Sequence, residues 1–106
     1  MRTKKWLGLI LLSVLIASTE AKSVHVAVAA NFSHTMQSLV TEFEKTSEFR
    51  IALSFGSSGK FYAQIKQGAP YELFFSADQA KPDALQNDGL VVNTSRFTYA
   101  IGRLAL

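Results

Sequence analysis

Two short stretches hold the residues best placed to do chemistry. "AANFS", Ala29 to Ser33, and "FGSSGK", Phe55 to Lys60, each stand between an apolar run and a helical pattern. Asn31, Ser57 and Ser58 offer side-chain hydrogen-bond donors, and Gly56 and Gly59 let a backbone approach a ligand closely. The N–H groups opening a helix have no partner within it, and the helix dipole adds partial positive charge there. A pair of such junctions suits a small anion held by neutral donors, with no Lys or Arg required. Helix capping is the plainer account of the same residues, because Asn and Ser are preferred N-caps.

Other chemistry fits these residues less well. A P-loop needs four residues between its first Gly and Gly-Lys; here only Ser57 and Ser58 intervene, and Phe61 follows the Lys. Ser57 and Lys60 satisfy S-x-x-K, but the S-D-N and K-T-G partners of the serine β-lactamases are absent from the sequence. A hydrolase-type activity at Ser57 or Ser58 is the alternative from the enzyme class. "VAVAANFS" lacks the glycines of a dinucleotide fingerprint. His25 and His34 have no metal-ligand spacing with each other or with a carboxylate pair. Asp78 is expected to cap a helix.

The elements that must position these loops read clearly. "SVHVAVAA", from Ser23, alternates as a buried strand does. Phe32, Met36, Leu39, Val40 and Phe43 fall on one helical face. Phe49, Ile51, Leu53 and Phe55 alternate as a second strand. Gly59 to Gln67 is a second helix, with Gly68 at its C-terminal cap and Pro70 stopping it. Leu73 to Ser76 is a third strand. Ala80 to Asp88 is a third helix, with Pro82 in its first turn and Gly89 after its end. Phe97 to Leu106 is an apolar run expected to form a fourth strand. The order β-α-β-α-β-α-β predicts an α/β fold with a parallel sheet. Ligands bind such sheets beyond the carboxyl ends of the strands, so the two junctions should lie side by side.

The first 21 residues read differently. "MRTKK" is a charged head, "WLGLILLSVLI" a greasy core, and "ASTEA" places small Thr19 and Ala21 before a cleavage point. That is the pattern of a secretory signal peptide over residues 1–21, cleaved after Ala21. The uncharged run Trp6 to Thr19 has 14 residues, short of the ~20 that span a bilayer. Removing Arg2, Lys4, Lys5 and Glu20 leaves 8 Lys+Arg and 7 Asp+Glu, a net of +1. The basic balance of the whole chain is therefore no argument for a nucleic-acid partner. With no cysteine, an exported protein of this size relies on its core alone and has no thiol for a lipid anchor.

Four blocks together resemble a known family. "VAVAANFSHTMQSLVTEFEK", "LSFGSSGKFYAQIKQGAP", "LFFSADQAKPDALQNDGLV" and "SRFTYAIGRLAL" are similar, in order and spacing, to the periplasmic molybdate-binding proteins of bacterial ABC transporters. The resemblance implies part of the first α/β lobe of a class II periplasmic binding protein over residues 22–106. It implies a molybdate or tungstate oxyanion as ligand, no cofactor, and delivery to an inner-membrane permease from the periplasm. It places ligand contacts on Asn31 and Ser58, to the oxyanion's oxygens and not to the metal itself. Ala30 and Ser57, beside them, would supply backbone donors. Asn31 stands where many members carry Ser, so an amide replaces a hydroxyl; "YEL" at Tyr71 to Leu73 also departs from the family, with no effect expected on the site. Members run more than twice as long, which implies a truncated chain here, monomeric if complete. A regulatory effector domain of the same fold is disfavoured by the signal, and a secreted α/β domain whose loops only cap helices remains the bland alternative.

Overall fold

A computed structural model describes residues 22–105. The signal-peptide reading falls outside the described residues. Three parallel strands, β1 (Lys22–Ala29), β2 (Phe49–Gly56) and β3 (Leu73–Phe75), form a sheet in the order β2-β1-β3. Helices α1 (Ser33–Lys45), α2 (Ser58–Lys66) and α3 (Ala80–Asn87) follow them in turn, and a single 3-10 turn, Ala30–Phe32, precedes α1.

β1 is central, and its last four residues, Val26 to Ala29, are all buried. Both faces of a strand in that position need cover, which explains why its polar alternation fades. Chain travel from β1 to β2 and then back across to β3 puts successive crossover helices on opposite faces. Met36 of α1 packs on Val26 and Val28, with Ile51, Leu53 and Phe75 from the flanking strands. Phe61 of α2 lies against Gly56, which pairs with Ala29 and so belongs to the other face.

Two helix ends follow the sequence expectation to the hydrogen bond. Gly68 and Gly89 have φ of +94° and +72°. After α2, Gly68 N–H donates to Ile65 O and Ala69 N–H to Gln64 O; after α3, Gly89 and Leu90 make the matching pair to Gln86 and Leu85. These are Schellman motifs, whose left-handed residue glycine occupies at least cost.

Two expectations are corrected. Phe97 to Leu106 does not form a fourth strand: residues 97–105 are irregular, with Phe97, Ile101 and Leu104 largely exposed. An alternating apolar run becomes a strand only when a neighbouring edge takes its hydrogen bonds, and among the described residues none does. Tyr99 and Arg96 still tie this segment down, through Phe32 and Phe75 and through Asp83. The apolar face of α1 is also only partly used. Met36 is buried, but Leu39 and Phe43 are about half exposed, because the three-stranded sheet leaves part of that face uncovered among the described residues.

Candidate functional site

The register sets the site. Ala29 pairs with Gly56, so β1 and β2 end level and release their loops side by side. The third loop, Ser76 to Gln79, leaves β3 on the other flank of β1. These ends enclose an open hollow of about 540 Å³, lined by Ala29 to Asn31, Gly56 to Gly59, and Ala77, Asp78 and Lys81. The site residues expected from the sequence, Ala30, Asn31, Ser57 and Ser58, are thus brought together in one place.

Gly56 makes room for close packing. A Cβ there would stand 3.2 Å from Phe61 Cζ, tighter than side chains normally tolerate, so glycine lets α2 seat close to the sheet. Phe61 is 2% exposed and meets Tyr71 and Phe74 edge-on. That contact fixes the start of α2 relative to β2.

Capping separates the three polar residues. Ser57 is the N-cap of α2, and its Oγ accepts from Lys60 N–H at 3.1 Å. Ser58 caps nothing. It is the buried polar side chain of the described core, and its Oγ accepts from Ala77 N–H at 2.8 Å. An accepting hydroxyl keeps its own proton to donate. Asn31 is not the cap expected of it. It lies within the 3-10 turn, and neither that turn nor α1 has a side-chain cap. Asn31 is exposed on the rim, with its amide facing no helix-end duty.

Asp78 behaves as the sequence suggests: its Oδ1 accepts from Lys81 N–H at 2.9 Å, and its own N–H donates to Ser76 Oγ at 3.2 Å. The sequence reading missed the same turn as a wall of the site. It brings one carboxylate and one ammonium to a hollow expected to hold neutral donors only. Asp78 Oδ2 and Lys81 Nζ are 4.0 Å apart. The signal available was a lysine in the first turn of α3, against the helix dipole. The Ala77 to Ser58 bond left no trace in the sequence, because it joins a backbone N–H to a side chain 19 residues away.

A second hollow, about 600 Å³, lies beside His25, Ser54, Gln64 and Tyr71. Gln67 and Gly68 at the carboxyl end of α2 line it, and that end carries partial negative charge. It is the wrong place for an anion. His25 lies on β1 and His34 in the first turn of α1, and the described residues contain no group of His and carboxylates that could hold a metal ion. No helix among them is long and apolar enough to cross a membrane.

Helix N-termini lie together beyond the carboxyl ends of the parallel sheet, where such folds bind ligands, and the sequence comparison gives the family. The model of the family described as bacterial extracellular solute-binding protein matches residues 24–106, and the chain belongs to that family. Among its relatives, the molybdate-binding protein ModA of Azotobacter vinelandii is 45% identical over 93 residues, covering 88% of this chain and 37% of the relative. ModA of Rhodobacter capsulatus is 41% identical over 99 residues, 93% of this chain and 39% of the relative. Among solved structures, the periplasmic molybdate-binding protein of A. vinelandii superposes with a TM-score of 0.72 at 48% identity, covering 74% of this chain and 34% of that one. The substrate-binding domain of a molybdenum ABC transporter protein from Clostridium difficile gives 0.60 at 31% identity, covering 62% and 29%. The chain therefore spans about two fifths of the length of the curated relatives it matches. All these relatives bind solutes, and the hydrolase alternative at Ser57 or Ser58 finds no support among them.

Proposed function

We propose that this chain contributes one wall of a binding site for a tetrahedral oxyanion, molybdate, and serves its delivery to an inner-membrane ABC permease. One observation carries the reading: Asn31 and Ser58 line the same hollow, and neither is spent on capping a helix. The amide of Asn31 and the hydroxyl of Ser58 donate to the anion's oxygens, and the opening N–H groups around Ala30 and Ser57 add backbone donors. Tungstate, of the same shape and charge, is the competing ligand. No cofactor takes part. The relatives named as molybdate-binding proteins support the ligand class.

The protein works in the periplasm as a monomer, after removal of residues 1–21 as a signal peptide. Mass spectrometry of the exported protein is expected to give Lys22 as the first residue. Retention of Met1 in the secreted fraction overturns the cleavage.

Calorimetric titration of the full-length protein with sodium molybdate, and with sulfate as a comparator, tests the ligand. We expect saturable heat with molybdate and a much weaker response to sulfate. Equal responses to both anions, or none to either, overturn the reading.

A further inference from the structure

The lysines at the helix ends divide into two groups. Lys45 and Lys66 stand in the last turns of α1 and α2, where the helix dipole favours a cation. Each has a close carboxylate, Glu42 at 2.8 Å and Asp88 at 3.4 Å. Lys60 and Lys81 stand in the first turns of α2 and α3, where the dipole opposes a cation, and of the two it is Lys81 that lines the hollow. Its side chain also runs over the start of α2: a Cβ on Gly59 would lie 3.8 Å from Lys81 Cε. The ammonium is thus placed by two positive helix ends at once, in a hollow whose lining is otherwise neutral apart from Asp78. Its carboxylate partner, Asp78, is the most distant in the ion pairs of the described residues, at 4.0 Å. Asp78 is mainly engaged elsewhere, as acceptor for Lys81 N–H.

A cation that breaks the local electrostatic rule inside a candidate site is a sign of function. The geometry points to Lys81 as the cation that draws the oxyanion into the hollow, and to Asp78 as the group that limits its pull. This inference rests on the oxyanion reading above. With Asp78 in place the pair is neutral overall, and an anion entering the hollow meets a dipole with its positive end on α2. The Ala77 to Ser58 hydrogen bond ties this turn to the site. The pair also changes the salt behaviour expected of a purely neutral site, because attraction by an accessible cation is screened.

The test is titration of the full-length protein and two variants with sodium molybdate, at low and high sodium chloride. Lys81→Met is expected to weaken binding about fivefold at low salt and to flatten the salt dependence. Asp78→Asn keeps an acceptor for the helix start, so the fold is preserved; it is expected to tighten binding about threefold at low salt and to steepen the salt dependence. Thermal unfolding of each variant checks that the turn is intact. If the parent binds and Lys81→Met matches it in affinity and salt slope, Lys81 is a surface cation and the inference fails alone. If Asp78→Asn weakens binding, the restraining role of Asp78 fails. If the parent does not bind molybdate, the oxyanion reading fails and takes this inference with it.

Discussion

Two of the three junctions that form the hollow are built in opposite ways. At β2–α2, Ser57 caps the helix and Phe61 clamps it to Gly56, so the loop is fixed by a side-chain cap and a buried ring. At β1–α1, no side chain caps the helix, and a 3-10 turn carries the chain from a buried strand into α1. That turn is held through Phe32, which packs on Phe75 and Tyr99 at ring distances of 6.4 and 5.1 Å. One junction thus spends a serine on structure and keeps the next serine for the site. The other spends an aromatic ring on structure and leaves its amide residue unspent. Both routes end with one uncommitted donor on the same hollow.

The largest effect should come from the ring at the clamped junction. Phe61→Ala removes a nearly fully buried aromatic side chain and should cost about 3–5 kcal/mol. Phe32 is only partly buried, so Phe32→Ala should cost less. Chemical denaturation of both variants in the full-length protein measures the difference. Equal losses would mean that the two junctions are held alike.

Substitution of the three polar residues sharpens the contrast between structure and site. Ser57→Ala removes a cap and should cost about 1 kcal/mol of stability. Asn31→Ala should leave stability nearly unchanged yet weaken molybdate binding by about 1–3 kcal/mol, the cost of an anion short of a donor. Ser58→Ala should affect both, because it also orphans Ala77 N–H. Denaturation and calorimetry run on the same three proteins separate the outcomes. If Asn31→Ala destabilises the protein and leaves affinity intact, it is a structural residue after all.

How much of this was legible in the sequence depends on the range of the interaction. Gly68 and Gly89 were readable because a Schellman motif is settled within six residues and needs a left-handed backbone. The pairing of the junctions was readable because the alternation of elements gives a parallel sheet, whose strands all end at the same edge. Asn31 as a cap was misread, since residue preference says nothing of a 3-10 turn that leaves the amide outside. The fourth strand was misread because alternation reports a strand's faces and not its edges. The wall formed by Ala77, Asp78 and Lys81 was missed, since β3 lies beside β1 and not beside β2, and only that order brings its loop to the hollow.

Tyr99 links the capless junction to the β3–α3 turn and gives the smallest effect. Its ring packs on Phe32, beside Asn31, and its hydroxyl points to Ser76 O at 3.5 Å, in the turn that carries Asp78. Burial raises the phenol above its ordinary value of 10.0, because the charged form is poorly solvated there. A folded value above the unfolded one means that the neutral phenol favours folding. That contribution is complete below about pH 10 and is lost as pH rises through the folded value. The loss is modest, since Tyr99 is 41% exposed. Thermal unfolding of the full-length protein and of Tyr99→Phe at pH 8 and pH 11 isolates it from Tyr62 and Tyr71, which both proteins share. The parent should lose about 1–2 °C more than the variant between the two pH values. Identical losses would show that Tyr99 ionises freely and does not hold the capless junction to the β3–α3 turn.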